Sequence, residues 1–340
     1  MFNIYFLFFL PFIIFFLNQL IKNKNLIPNY SGSKHQKLFN NLNIPLSGGV
    51  FVFLILFMIY VKVSLMFLIF SFLIFFLGLL ADINLLSSPR WRFLLQITLV
   101  FSFVYFSELN ILSIRIAVID FYLQNFLISC IFTSFCLMIL INGTNFIDGL
   151  NGLVLSYYLI ISFFIYKLQL FDFFYLGNLD YLVFIFTLIY LLIFNFLNKL
   201  YLGDSGSYLL GLAYGYFLIL IFQNNNFISP YFIALLLWYP AFETFFSILR
   251  KLILKKSPTD ADNIHFHQLL FHYIKIKLKF KNVISNNFSS LLIIFYNILI
   301  FFISSQMIEN SSYQLSLIIF NIGIYLIIYF NLYKFKKKNN

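Results

Sequence analysis

The polar residues with the clearest chemical potential stand between long apolar runs. One cluster reads Asn142-Gly-Thr-Asn145-Phe-Ile-Asp148-Gly-Leu-Asn151. Its amide and carboxylate side chains recur every three residues, so a continuing helix would place them near one face. Oxygen ligands on one face suit a hard cation such as Mg²⁺. The alternative is a capped polar helix end, but such residues in an apolar setting are costly unless they have a function.

A second cluster, Gly203-Asp204-Ser205-Gly206-Ser207, comes directly before an apolar run. Small residues at a helix start leave backbone N–H groups open, and such groups attract phosphate. Asp204 would repel phosphate unless a cation lay between them, so the motif indicates a metal bridge. An ordinary Asp or Ser N-cap is the alternative.

Histidines mark a third cluster, Asp262-Asn-Ile-His265-Phe-His267, in the most basic part of the chain. Their two-residue spacing and the lack of nearby cysteine are unlike a zinc site. Contact with phosphate or proton transfer is the functional interpretation, and two solvated histidines are the alternative. Arg250 follows an apolar run, where it could bind an anionic substrate or simply flank a membrane span.

The elements that must position these clusters are membrane helices. The 340 residues are 62% hydrophobic and 10% charged, whereas a soluble domain is about half apolar and about a quarter charged. We therefore predict an all-α integral membrane protein, a polytopic bundle of about eleven transmembrane helices with cytoplasmic active-site loops. The predicted spans are 2–20, 48–61, 63–81, 92–107, 124–141, 152–168, 179–198, 207–222, 227–248, 289–306 and 314–333.

The basic residues orient this bundle. Eleven spans place 19 of the 22 Lys and Arg residues on the side of the odd-numbered loops and the C-terminus. The positive-inside rule then puts the N-terminus outside and the C-terminus in the cytoplasm. All the polar clusters fall on the cytoplasmic side. The net charge of +11 flanks membrane spans, so membrane lipids and not nucleic acid are the expected partners.

Together these motifs resemble the polyprenyl-phosphate N-acetylhexosamine-1-phosphate transferases, glycosyltransferase family 4. The resemblance covers about residues 27–270, within a predicted single membrane-embedded domain over 1–340 whose last two spans and basic tail occupy 282–340. Its most specific parts are Asn142–Leu153 and Gly203–Ser207 with Lys199 upstream. Asp262 to His267 and the Pro240-Ala-Phe-Glu243 segment with Arg250 also fit.

The resemblance implies an enzyme that transfers an amino-sugar 1-phosphate from a UDP-sugar to undecaprenyl phosphate in the bacterial inner membrane, releasing UMP. It implies Mg²⁺ as cofactor, with Mn²⁺ as an alternative, and a homodimer is left open. The implied catalytic residues are Asp82, Asp148 and Asp204, and the implied metal ligands are Asp204 and Asp148. The implied substrate-binding residues are His35, Gly48, Gly49, Asn142, Asn145, Asn151, Lys199, Gly206, Ser207, Arg250, Asp262, His265 and His267.

The chain departs from the family pattern at three places. Family members carry paired aspartates where this chain has Asp82 between Ala81 and Ile83. The second acid of the Asp-Gly-x-Asp-Gly pattern is Asn151. The lipid I enzymes have three consecutive histidines, and the His-Phe-His-Gln found here favours the surface-polysaccharide branch, such as O-antigen initiation. The broken pair leaves a catalytically impaired scaffold as an alternative. A transporter is disfavoured, because transport sites lie near the bilayer midplane and the acids here lie at span ends.

Overall fold

The computed structural model describes residues 4–24, 27, 29–30, 44–61, 64–170, 177–255, 257 and 263–339. These form fourteen helices and one pair of two-residue strands. In chain order they are α1 Ile4–Asn23, β1 Asn29–Tyr30, β2 Ile44–Pro45, α2 Gly48–Tyr60, α3 Leu65–Asp82, α4 Pro89–Ser107, α5 Ala117–Leu123, α6 Phe126–Ile147, α7 Leu153–Lys167, α8 Asn178–Phe196, α9 Gly203–Gln223, α10 Pro230–Leu236, α11 Trp238–Ile253, α12 Phe266–Leu278, α13 Asn282–Ser304 and α14 Ser311–Asn339.

The fold is that of a polytopic membrane protein, as the composition predicts. Within the described residues, six helices (α3, α6, α8, α9, α13 and α14) are long and apolar enough to cross a membrane, and α10 with α11 would make a seventh if they form one bent span. α2, α7 and most of α1 are shorter apolar helices. Each predicted span overlaps one of these helices, α4 or the bent pair, while the number of eleven crossings stays a prediction.

Helix starts follow local capping chemistry. The Ser64 hydroxyl accepts the N–H of Phe67 at the start of α3. The Asn125 side chain accepts two N–H groups at the start of α6, and Ser229 caps α10 next to Pro230. Side-chain acceptors at these positions satisfy N–H groups that have no partner within the helix. Polar residues between the apolar runs therefore set where the helices begin.

α9 is the central helix of the bundle. In its most apolar 18-residue window 89% of the residues are buried, against 22–50% in the other five long spans. α2, α3 and α6 pack around it. Glycines permit this close packing, since a Cβ on Gly211 would lie 2.8 Å from the Cα of Ile141 on α6. Small residues at helix contacts are a common device for packing membrane helices.

The outer helices present apolar side chains outward. Phe8, Phe12 and Leu65 are 70%, 71% and 67% exposed. Contiguous apolar surface of this kind is unfavourable in water. It is the surface expected of helices that face lipid hydrocarbon.

Several predicted boundaries are wrong, for identifiable reasons. α9 begins at Gly203 and not at 207, because the polar residues there lower the hydropathy but still form the first helical turn. α6 continues through Ile147 past the predicted end at 141. The predicted span 227–248 is bent by 76° at a break between α10 and α11. The strand pair is a small exception to an all-α fold, with Asn29 facing Pro45.

Candidate active site

The site is built around the first turn of α9, which α3 caps from outside. Asp82, the last residue of α3, accepts the N–H of Asp204 on Oδ1 (2.8 Å) and the N–H of Ser205 on Oδ2 (3.1 Å). Gly203 has a φ of +76°, and a Cβ there would lie 2.7 Å from Asp82 Oδ2. A side chain at this position is therefore disfavoured for two reasons: the backbone has a positive φ, and the Asp82 carboxylate occupies the space of a Cβ.

This contact corrects one sequence-based prediction. The N–H groups at the start of α9 were expected to be open to phosphate, but two of them already donate to Asp82. The expectation is wrong for these two groups, because a carboxylate from another helix satisfies the free N–H groups as an anion would. The structure thus gives Asp82 a structural role at the site, and its catalytic role stays a prediction.

Asp204 projects from the same turn and holds two partners. Its Oδ2 lies 2.7 Å from Nη1 of Arg92, at the start of α4. Its Oδ1 accepts from Nδ2 of Asn145 on α6 (2.7 Å), and the same amide reaches the hydroxyl of Ser207 (3.1 Å). Three helices therefore converge on one carboxylate, which is partly buried, with 28% of its side chain exposed.

Asp148 follows α6 and adds a third carboxylate. Among the residues that the structure describes, it accepts no hydrogen bond. Burial raises the pKa of Asp148 well above its usual range, and the negative charges of Asp204 and Asp82 raise that pKa further. Removal from water and neighbouring like charges both disfavour the ionised form. The site therefore disfavours the ionised form of Asp148 unless a cation offsets its charge.

These residues line one cavity of about 170 Å³. Of the predicted site residues, Asp82, Asn145, Asp148, Asn151 and Asp204 meet there. The remaining lining residues are Leu46, Gly149, Leu150, Asn195, Tyr201, Leu202, Gly203 and Asn286. Asp82 and two of the predicted clusters, which come from separate parts of the sequence, thus meet in one site.

The sequence interpretation missed Arg92, Asn195 and Asn286. Asn195 on α8 accepts the N–H of Gly152, and Asn286 on α13 accepts the N–H of Asn151 (2.8 Å). Both are buried amides within long apolar helices, where an isolated polar residue indicates an internal role. That signal was available in the sequence. Arg92 carried no distinguishing signal, since it counted as one of many basic residues near span ends.

Two predicted substrate-binding residues, Asn142 and Lys199, are not among the residues that line the cavity. The Asn142 amide donates to Gln96 Oε1 (3.2 Å) and to the carbonyl of Met138 (2.9 Å). Lys199 is exposed, and its carbonyl accepts from Asn18 (3.0 Å). Asn151 does line the cavity, and its amide donates to Asn198 Oδ1 (2.8 Å). Substrate contact by these residues stays a prediction.

The glycine motifs contribute packing. The N–H groups of Gly48 and Gly49 donate to the carbonyls of Tyr201 (2.9 Å) and Leu202 (3.1 Å). A Cβ on Gly206 would lie 3.0 Å from the Cα of Gly49. α2 is thereby joined to the start of α9. These N–H groups are used within the fold, and substrate contact at Gly48, Gly49 and Gly206 stays a prediction.

The histidine motif forms a second cluster, defined here as the histidine cluster: Glu243, Arg250, His265, His267 and Tyr325. The Nδ1 of His265 lies 2.8 Å from Oε1 of Glu243. Arg250 donates through Nη1 to the carbonyl of Ile264 (3.0 Å). The rings of His265 and His267 stack at 5.7 Å between centroids. The predicted histidine pair therefore forms, with Glu243 as the residue that orients it.

The histidine cluster touches the cavity wall through one glycine. A Cβ on Gly149, which lines the cavity, would overlap the ring of His267. His267 is fully buried and His265 is 7% exposed. The histidines therefore lie directly behind the cavity wall. Two other predicted site residues, His35 and Asp262, lie outside the described residues.

The cavity suits a divalent cation bound together with phosphate. No group of three His, Cys, Asp or Glu side chains within the described ranges is close enough to enclose a metal ion alone. Mg²⁺ is typically held by one or two carboxylates, with waters and substrate phosphates completing its shell. Asp148 and Asp204 could supply that pair, since each carboxylate oxygen can accept more than one contact.

Comparison with known proteins settles the family. The family described as glycosyl transferase family 4 matches residues 64–222. The undecaprenyl-phosphate α-N-acetylglucosaminyl 1-phosphate transferase of Thermotoga maritima is 30% identical over 232 residues, covering 66% of this chain and 67% of the relative. The chain belongs to glycosyl transferase family 4. The resemblance to polyprenyl-phosphate hexosamine-1-phosphate transferases is confirmed.

The match to the family model includes the three carboxylates of the cavity but not the histidine cluster. Asp82, Arg92, Asp148 and Asp204 lie within residues 64–222. α11 to α14 follow that range, so the match to the family model does not include the histidine cluster, which the structure joins to the cavity wall at Gly149.

Proposed function

We propose that this family 4 member transfers an N-acetylamino-sugar 1-phosphate from a UDP-sugar to undecaprenyl phosphate, releasing UMP. Asp148 and Asp204, with Asp82 and Arg92 beside them, face a cavity at one end of the bundle. Such a site can bind two phosphate-bearing substrates only if cationic groups offset their charge.

The single observation that carries the proposal is the surplus of carboxylates in the cavity. Asp82, Asp148 and Asp204 converge there, and Arg92 is bonded to one of them. Phosphates would be repelled by such a cluster without a divalent cation. Mg²⁺, or Mn²⁺ in its place, would neutralise the donor diphosphate and polarise its phosphoryl group when bound.

The chain's own residues position the reactants. Asp82 holds the first turn of α9 through two backbone N–H groups. Asn145 and Arg92 fix both oxygens of Asp204. Asp204 and Asp148 are the proposed metal ligands. This pre-organisation is the main contribution a protein makes to phosphoryl transfer.

The reaction does not require a strong base to remove a proton from the acceptor phosphate. The acceptor is a phosphate monoester, whose second pKa is about 6, so it is largely ionised near neutral pH. An acceptor oxygen can attack the donor phosphorus next to the sugar while the bond to UMP breaks. Ala81, in place of a second acid beside Asp82, is therefore compatible with catalysis.

The finer assignments are also proposals. The histidine sequence His-Phe-His-Gln supports the surface-polysaccharide branch, such as initiation of O-antigen. The distribution of Lys and Arg supports a multi-pass protein of the bacterial inner membrane with the cavity facing the cytoplasm. We propose one domain over residues 1–340, and the N-terminus outside and the C-terminus inside.

UMP release tests the proposal. Full-length protein in membranes is supplied with Mg²⁺, undecaprenyl phosphate and a panel of UDP-sugars. UMP and a polyprenyl-diphosphate sugar are expected with a UDP-N-acetylhexosamine. Omitting the lipid should stop UMP release, which separates transfer from hydrolysis. Folded protein that releases no UMP from any donor would refute the proposal and leave the scaffold alternative.

A further inference from the structure

We infer that α14 positions the histidine cluster: Tyr325, acting through Glu243, fixes the orientation of the His265 imidazole behind the wall of the cavity in which the donor substrate is proposed to bind. The inference rests on the proposed function for its substrate. It concerns residues beyond the family match, which ends at residue 222. Tyr325 and Glu243 are positioning residues here.

The centre of this arrangement is a fully buried carboxylate. Glu243 on α11 is 0% exposed. Its Oε1 accepts from the N–H of Phe266 (3.3 Å) and lies 2.8 Å from Nδ1 of His265. Its Oε2 accepts from the hydroxyl of Tyr325 (2.6 Å). Burying a carboxylate is costly unless such donors compensate it.

These contacts fix one tautomer of His265. A carboxylate only accepts hydrogen bonds, so the proton facing Glu243 belongs to Nδ1. The lone pair, or a second proton, is then on Nε2. Carboxylates orient catalytic and metal-binding histidines in the same way. His265 also stacks on His267, whose ring touches Gly149 in the cavity wall.

Tyr325 is held rigidly in place. Its ring is 2% exposed. It stacks on Phe266 at 4.8 Å between centroids and meets Phe242 edge-on at 4.9 Å. A buried aromatic with partners on two sides has little rotational freedom. The hydroxyl position is therefore set by packing, and the carboxylate of Glu243 is placed relative to it.

Further residues along α14 hold the same segment. Tyr329 donates to the carbonyl of Ile264 (3.0 Å) and accepts from Nη1 of Arg250 (2.9 Å). Lys336 donates to the carbonyl of Asn263 (2.7 Å). Spacings of four and seven residues place Tyr325, Tyr329 and Lys336 along one side of a helix. One side of α14 thus contacts the chain directly before and beside the histidines.

Kinetics of full-length variants test the inference. Tyr325→Phe removes one oxygen and keeps the ring. We expect kcat/KM for the UDP-sugar to fall about tenfold, the lower end of what loss of a histidine's orienting partner costs. The KM for undecaprenyl phosphate should stay unchanged. The matched control is Tyr296→Phe, which loses a hydroxyl bond to Asn321 of α14 and lines the same apolar cavity as Tyr325. It should keep wild-type kinetics.

A double-mutant cycle separates positioning from general stabilisation. In a His265→Gln background, Tyr325→Phe should cause no further loss of kcat/KM, because the imidazole through which Tyr325 acts is already absent. Equal losses in both backgrounds would overturn the inference. Wild-type kinetics in Tyr325→Phe would do so as well. Should Tyr325→Phe fold poorly, Glu243→Gln is expected to show the same donor-specific defect, and a normal donor kcat/KM there would count against the inference.

A spectroscopic measurement keeps this test independent of turnover. The chain has four histidines, so ¹⁵N-histidine labelling gives few ring signals, and His265→Gln assigns one. Tyr325→Phe should shift the His265 ring signals, and Tyr296→Phe should not. If the wild-type protein released no UMP but Tyr325→Phe still shifted the His265 ring signals, the proposed function would fail while the positioning stood. Unchanged His265 signals in Tyr325→Phe would overturn the inference.

Discussion

The two ends of α9 use charge in opposite ways. At its start, Asp82, Asp148 and Asp204 line one cavity, and Arg92 pairs with Asp204. At its far end, Arg115 donates to the carbonyls of residues 226, 227, 228 and 309 at 2.8–3.1 Å. At the far end, the guanidinium N–H groups of Arg115 are matched by carbonyl acceptors, and these hydrogen bonds join three loops. The near end accumulates like charges, which indicates a site for a ligand.

The acids at the two ends show the same contrast. Asp120, near the far end, accepts from the Ser113 hydroxyl (2.7 Å) and the N–H of Ile114 (2.7 Å). Asp148 accepts no hydrogen bond from the described residues, and its pKa is raised by burial and by its acidic neighbours. The fold supplies Asp120 with hydrogen-bond donors, whereas the charge of Asp148 would have to be offset by a bound cation.

The strongest test of this contrast is Asp204→Asn. We expect at least about a 100-fold loss of UMP release with normal yield of folded protein, because the amide cannot replace a charge that binds the proposed cation. Asp120→Asn is the matched control at the far end and should retain near-normal turnover. Near-normal activity in Asp204→Asn would remove it from the site and erase the distinction between the two ends.

Close packing at the near end predicts a large effect on folding. Gly49→Ala should sharply reduce the yield of folded protein in size-exclusion chromatography, since its Cβ would lie 2.5 Å from the backbone nitrogen of Gly206. Gly323→Ala on α14 is the control, with no heavy atom within 4 Å of its Cβ. It should leave stability unchanged or raise it by up to about 1 kcal/mol. Equal behaviour of the two variants would contradict the packing argument.

Arg115→Ala examines the far end. Loss of the Arg115 guanidinium should lower the thermal unfolding midpoint by a few degrees. The hydrogen bonds of an exposed charged group together contribute on the order of 1 kcal/mol to the free energy of unfolding. Turnover measured well below that midpoint should stay close to wild type. A large loss of kcat without loss of stability would show that this end also takes part in the reaction.

The smallest expected effect is a shift of the thermal unfolding midpoint when a divalent cation is added. Millimolar Mg²⁺ is expected to raise the unfolding midpoint of the wild type, since binding to the folded state stabilises it and offsets the repulsion around Asp148. Asp148→Asn should lose most of this shift, and Asp120→Asn should keep it. A shift of equal size in all three proteins would indicate a general salt effect.

The sequence was most informative where residues act in one segment. Asn145 and Asp148 are three residues apart, so helical spacing alone places them together. The motif around Asp204 was recognisable because small and polar residues stand directly before an apolar run. The contact of Asp82 with α9 was not predictable, because it joins residues 122 positions apart. Arg92 was missed for a related reason: the basic residues near span ends are alike until packing brings one beside a carboxylate.

The buried position of α9 also bears on how the protein is assembled. The helices packed most extensively against α9 are α3, α6 and α2, and all three precede it in the chain. In a chain made from its N-terminus, these helices are synthesised first. We therefore expect α9 to insert after them and to exchange lipid contacts for contacts with α2, α3 and α6. Its glycine-rich surface suits that late, tight fit, so substitutions there would act during biogenesis, before any substrate is bound.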